Sequence, residues 1–568
     1  MMEQITKEIS RLLGSAGVAG PIELSAPPKP EMGDLAFACF SHAKTVLRNP
    51  AEAAAEIAQK ISRSHSGLFS EIKAFGPYVN FYIESRELTR QVLYEIAQAG
   101  VNYGRQTVGR GRIMVEFAHP NTHKALHIGH LRNIITGESL VRLLENAGYQ
   151  VIRANYQGDV GLHIAKCLWG IRQLADKYEA LKNSGLRERV AFLGQAYAHG
   201  SQAYEADEKV KQEIADFNVK IYARSPEIQD VYSTTRAWSL EYFAYMYERL
   251  GTRFDRLYFE SEVYERGAEL VRQFVASGVF VESQGAIIFP GSAYDLHDRV
   301  FVNSQGFPTY EGKEVALAEL QFSEHRPDKI IHITGREQAD YFRVVFAAIA
   351  RVFPETAERE EHLTYGWVRL KHGKMSSRTG QVVLAEWLLD EIEGKIAAIM
   401  AGGAIEDRSE TVAKIGRSAV KYALLKTDIG NDIAFDLDES VRTVGDSGPY
   451  LLYIVARVKS VLKKAGPGES YQTAALLPEA IHPAEKQLVL KLADFPEVAS
   501  AAAQEFNPSL VAAYLFRLAQ AFNAFYQDCP ILSAAAEQRG FRLELCSAVG
   551  LVMERGLNLL GIDVVEEM

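Results

Sequence analysis

Cysteine is scarce in this 568-residue sequence: Cys39, Cys167, Cys529 and Cys546 lie far apart with no paired spacing. That excludes a disulfide framework and a CxxC zinc site, and it reads as the reduced thiols of a cytoplasmic protein. Long apolar runs are missing too. The longest uncharged stretches, such as Ile396 to Ile405, are about half a bilayer span. The first residues lack a positive segment followed by an apolar core, so neither secretion nor membrane insertion is expected. Nor is there an excess of positive charge. With 62 Lys and Arg against 72 Asp and Glu the net charge is −10, which argues against non-specific nucleic-acid binding by the whole surface. What is present is an ordinary globular composition, 47% hydrophobic and 24% charged, in a chain long enough for three or four structural units.

Residues 1–105 read as a small α+β module. Asn49 and Pro50 start a helix, an extended stretch from Ile72 to Ile83 breaks at Gly76-Pro77, and a helix from about Leu88 to Gln98 closes the unit. Residues 106–405 carry a βαβ signature. Ile113 to Phe117 is a buried strand, Ile128, Leu131, Ile135, Leu140 and Leu144 mark a helix, and Val151 to Asn155 is a second strand. A charged helical insertion over about 166–255 follows. Strands at Ala286–Phe289, Val300–Asn303 and Lys329–Thr334 are expected to resume the same sheet. Long helical patterns fill 406–568.

Between the first strand and its helix runs Ala118-His119-Pro120-Asn121-Thr122-His123-Lys124-Ala125-Leu126-His127-Ile128-Gly129-His130. Strand ends meeting a helix N-terminus are where an open parallel sheet binds ligands, and free amides there favour phosphate. Gly129 lets a flat base approach, and His127 and His130 share a helix face and can donate to phosphate oxygens. About 250 residues later, Lys371-His372-Gly373-Lys374-Met375-Ser376-Ser377-Arg378 supplies cations and hydroxyls suited to a triphosphate.

Together these motifs resemble the HIGH and KMSKS signatures of class I aminoacyl-tRNA synthetases. The details are similar to the arginyl-tRNA synthetase family: Val115-Glu116-Phe117 with Pro120-Asn121 and Lys124, Asn155 to Gly161, Pro308 to Glu314, Gly335 to Gln338, Gly448-Pro449-Tyr450, and Phe525 to Pro530. The likeness runs the length of the chain. It implies an α/β class I Rossmann-type catalytic domain with a helical insertion, an N-terminal α+β module that contacts tRNA, and a C-terminal α-helical anticodon-binding domain. It also implies arginine activation by ATP with Mg2+ and transfer to tRNA(Arg) by a monomer, with no protein metal site. His127, His130, Lys124 and Lys374 would be catalytic, and Gly129, Met375 and Ser376 would join them at ATP. Two positions depart from the family pattern. Arg378 replaces the second loop lysine, a loss for which Lys124 is thought to compensate, and position 314 is Glu where Asp is usual.

A guanidinium is a planar cation with five donors, so its pocket needs in-plane carboxylates and an aromatic wall. Glu116, Glu314 and Tyr310 supply those types. Glu116 in an apolar strand would be costly unless paired with a cation. By the resemblance, Asn121, His130 and Gln338 hold the α-amino and carboxylate groups. For tRNA, residues 441–464 hold five bases against one acid. Tyr450 and Arg457 within this stretch, and the C-terminal Tyr526 and Met568, resemble the family's anticodon-contact positions.

Overall fold

The computed structural model describes residues 2–62, 67–107, 109–371, 383–401, 408–466 and 477–568. Its centre is a five-stranded parallel sheet. In chain order the strands are Arg112–Glu116, Gln150–Gln157, Arg256–Phe259, Lys329–Gly335 and Glu360–Tyr365, and in space the order is fifth, fourth, first, second, third. Ile113, Met114 and Val115 are all buried, as expected of a parallel sheet covered on both faces. The chain lays down the first three strands to one side, then returns to place the fourth against the other edge of the first. The carboxyl ends of the first and fourth strands therefore border the switch-point crevice, where ligands bind in such sheets.

The helix Ile128–Asn146 follows the first strand, and 15 of its 19 residues are buried, so it is a central rod rather than a surface helix. The polar residues on it are held. Asn133 accepts from the Ala118 amide (2.6 Å) and donates to the Ile333 carbonyl (2.6 Å), pinning the loop after the first strand to the end of the fourth.

The insertion between the second and third strands is five helices from Leu162 to Leu250, with its own apolar core. One expectation is corrected here. Ala286–Phe289 and Arg299–Val302 do not rejoin the central sheet; with Val281–Ser283 they form a separate three-stranded antiparallel sheet. A short local pattern cannot report which partner a strand takes. The N-terminal module pairs four antiparallel strands with helices, and the Asn49 side chain caps Pro50–Ile61 by accepting from the Ala51 amide. Long helices dominate from Arg408 onward, and no helix among the described residues is long and apolar enough to cross a membrane.

Candidate active site

A cavity of about 600 Å³ opens at the switch point, lined by the residues Glu116, Asn121, His127, His130, Tyr310, Glu314 and Gln338 that the sequence singled out. Sequence reasoning did not single out Tyr156, Glu260, Arg299 and Tyr341, which line it as well. The loop entering the cavity is bent hard. Ala118, His119 and His123 all have positive φ (81°, 47° and 64°), a conformation that costs non-glycine residues about 1–3 kcal/mol and collects at functional sites.

The two histidines of the signature begin the central helix and cap it reciprocally. His127 Nδ1 accepts from the Gly129 amide (3.0 Å) and the His130 amide (3.4 Å), and His130 Nδ1 accepts from the His127 amide (3.2 Å). A ring nitrogen that accepts carries no proton, so each imidazole bears its proton on Nε2. Burial, with Lys124 nearby, lowers the pKa of His127, and burial with His127 lowers that of His130 further. Both are therefore neutral donors facing the cavity. Gly129 is needed here for a second reason, because a Cβ would lie 2.8 Å from the His127 ring. His123, by contrast, belongs to the core. Its ring bonds Thr122 (3.0 Å) and Thr235 (2.8 Å), and burial pushes its pKa to about 3.

Three carboxyl groups that line the cavity are Glu116 and Glu260, both buried, and Glu314, half-buried. Glu116, 1% exposed, meets its expected cation inside the protein: His332 Nδ1 lies 3.0 Å from Oε1, and Gln321 donates to Oε2. Burial raises the Glu116 pKa, but the charge of His332 outweighs it and the net direction is down. Burial likewise opposes the charge on His332, yet Glu116 and Glu360 hold its pKa at about 10. Glu260 pairs with Lys313, 2.5 Å away, whose ammonium lies 4.6 Å from the Tyr310 ring centre. Glu314 has only the Tyr341 hydroxyl (3.3 Å), with no cation in ion-pair reach among the described residues. Burial and the like charge of Glu116 push its pKa up to about 8. Of these three carboxyl groups Glu314 alone has no cation within ion-pair reach among the described residues.

Lys124 does not line the cavity; its ammonium sits 4.3 Å from the centre of the Tyr197 ring on the helical insertion. Lys374, Met375, Ser376 and Arg378 lie outside the described residues. On the C-terminal helices the tRNA expectations separate. Tyr450 is 8% exposed, packs on Phe516, and accepts from Asn523 (2.7 Å), so it is a core residue and not a surface for base stacking; its helical position alone could not report this. Arg457 lies between the Tyr453 and Tyr526 rings (4.5 and 5.0 Å), with Tyr526 40% exposed and Met568 also exposed. The positive charge of 441–464 is partly neutralised, since Lys459 meets Glu554 and Glu566, and Lys463 meets Glu567.

Comparison with known proteins extends this geometry to the whole chain. Residues 92–437 match the family model for class I (R) tRNA synthetase catalytic domains, 451–568 the DALR anticodon-binding domain, and 1–83 the arginyl-tRNA synthetase N-terminal domain. The arginine–tRNA ligase of Treponema pallidum is 34% identical over 99% of this chain and 98% of its own length. That of Bdellovibrio bacteriovorus is 31% identical over 95% and 93%. The solved arginyl-tRNA synthetase of Thermus thermophilus superposes with a TM-score of 0.81 at 25% identity, covering all of both chains. The chain belongs to the arginyl-tRNA synthetase family of class I aminoacyl-tRNA synthetases.

Proposed function

We propose that the cavity activates arginine at Glu314 and transfers it to tRNA(Arg), with the residue roles as follows. The chain is an arginine–tRNA ligase: arginine and ATP give arginyl-adenylate and pyrophosphate, and the arginyl group then passes to the terminal adenosine of the tRNA. The observation that supports this reading best is Glu314, a half-buried carboxyl group without an ion-pair partner among the described residues, in the cavity that His127 and His130 also line. A guanidinium placed there satisfies the carboxylate in its plane, while Tyr310 supplies a wall and Glu116 adds negative potential. Asn121, His130 and Gln338 hold the α-amino and carboxylate ends.

No protein nucleophile is required. The arginine carboxylate attacks the α-phosphorus and pyrophosphate leaves, so catalysis is positioning plus stabilisation of developing charge. His127 and His130 donate Nε2–H groups to phosphate oxygens, and Gly129 admits the base. Lys374, Met375 and Ser376 complete the ATP contacts, with Lys124 offsetting the Arg378 substitution. Mg2+ would accompany ATP and offset the charge of its phosphates. Arg457, Tyr526 and Met568 contact the anticodon, and the enzyme acts as a cytoplasmic monomer.

The test is ATP–pyrophosphate exchange across the twenty amino acids, with and without total tRNA. Exchange is expected with arginine alone among them and only when tRNA is present, since the tRNA end completes the site by induced fit. Robust exchange without RNA would contradict the induced-fit step, and exchange with another amino acid would overturn the pocket assignment.

A further inference from the structure

Arg132 lies two residues past His130 on the central helix, and it is 1% exposed. A buried guanidinium ordinarily faces a carboxylate. This one has no carboxylate within ion-pair distance among the described residues, although Asp432 and Asp428 are near enough to favour its charge. Its two terminal nitrogens donate instead to four main-chain carbonyls: Gly366 (2.5 Å), Trp367 (3.3 Å), Ile429 (2.9 Å) and Asn431 (2.9 Å). Burial without a carboxylate partner lowers its pKa to about 10.

The four carbonyls come from two chain segments more than 60 residues apart. Gly366 and Trp367 connect the fifth central strand to the short strand Val368–Leu370. Ile429 and Asn431 precede Ile433–Phe435, which pairs in parallel with Val368–Leu370. Only the planar, multi-donor head of arginine can hold four acceptors from two segments at once; lysine offers a single point. Close approach is built in, because a Cβ on Gly366 would lie 2.4 Å from the Asn431 carbonyl. Asp432 fastens the same junction by accepting from the Trp367 amide (2.8 Å) and from Arg336, which adjoins the cavity residues Glu337 and Gln338. Beyond Leu370 the Lys371 amide donates to the Phe435 carbonyl (2.8 Å), and the sequence then continues to Lys374.

With the centre of the Tyr365 ring 5.6 Å from the guanidinium carbon as well, the four carbonyl bonds of Arg132 tie the helix to both segments of the junction, so what the guanidinium supplies is the placement of one relative to the other. We infer that Arg132 is a positioning residue for adenylate formation: it fixes the strand leading to Lys374 relative to the helix end that carries His127 and His130. This rests on the role proposed above for Lys374 at ATP.

The experiment measures arginine-dependent exchange, in the presence of tRNA, for Arg132→Lys, Gly366→Ala, Lys374→Ala and the Arg132→Lys/Lys374→Ala double variant, with the Tm of each recorded. A misplacement of about 1 Å costs about 10²-fold in rate, so Arg132→Lys is expected to lower kcat by about that factor and raise the ATP KM. The arginine KM should stay within about twofold, because the guanidinium pocket lies on other elements. Gly366→Ala, which wedges the same junction without touching the helix, should give the same split, and it decides the matter if Arg132→Lys does not fold. The double variant should be little worse than Lys374→Ala alone. Unchanged kinetics in Arg132→Lys, or a parallel rise in arginine KM, would overturn the inference. Full activity of Lys374→Ala would instead overturn the ATP reading beneath it.

Discussion

If Glu314 receives the guanidinium, arginine binding must displace a proton. With no cation paired to it its pKa is about 8, so at pH 7 about nine-tenths of the molecules carry that proton. A guanidinium beside the carboxylate favours the ionised form and drives the pKa down, so binding at pH 7 releases about 0.9 proton. The sign follows: affinity rises with pH below 8 and levels off above it. From pH 6 to pH 7 the arginine association constant should increase about ninefold, because the competent fraction grows from about 1% to about 9%. Few other cavity groups titrate in this window. His127 and His130 are held neutral by burial and nearby positive charge, while His332 stays charged with its pKa at about 10. Calorimetry in buffers of different ionisation enthalpy gives the proton count directly, and staying below pH 7 keeps the substrate's α-amino group fully protonated. Glu314→Gln should bind weakly with no pH slope. A wild-type heat independent of buffer, with affinity flat across pH 6–7, would refute the reasoning.

Three further outcomes are expected. Glu116→Gln leaves the buried His332 cation with Glu360 alone and thins the negative potential, so arginine kcat/KM should fall by about 2–4 kcal/mol with little change at ATP; loss of Tm alone would make Glu116 structural. Lys124→Ala should lower kcat for adenylate formation by about 10²–10³ and be partly rescued by Arg378→Lys, and small additive effects in that double-mutant cycle would remove the compensation. Tyr526→Ala should raise the tRNA KM by about 1–3 kcal/mol, whereas Tyr450→Ala should cost about 3 kcal/mol of stability at nearly normal tRNA KM. The reverse pattern would refute the exchange of roles between them.

What the sequence disclosed was local. The apolar spacing from Ile128 to Leu144 marked the central helix, and the histidine spacing placed both donors at its start. Composition around Glu116 called for a cation, but not for His332, which lies 216 residues away on a neighbouring strand. Glu260 with Lys313, and Arg132 with its four carbonyls, were illegible for the same reason: each pair is defined by chain return, which leaves no periodic trace. Lys313 did stand inside the segment Pro308 to Glu314, so a charge inventory of that segment could have flagged it. Tyr450 misled because an aromatic on a basic helix looks the same from sequence whether it faces water or a neighbouring helix.

Farther along the central helix, Ser139 donates to the Leu559 carbonyl (2.9 Å) and Arg142 to that of Asn558 (3.1 Å), while the buried Lys421 donates to Gly561. A rod of 19 residues is about 28 Å long. Its first turn therefore belongs to nucleotide chemistry, and its later turns form a socket for residues more than 400 positions downstream. Removal of residues from Asn558 onward would strip acceptors from Ser139, Arg142 and Lys421 together. The helical C-terminal region is thus not a detachable reader joined to a self-sufficient catalyst. It forms one wall of the helix that starts the reaction, and a shortened catalytic half would need that wall replaced before it could be expected to fold.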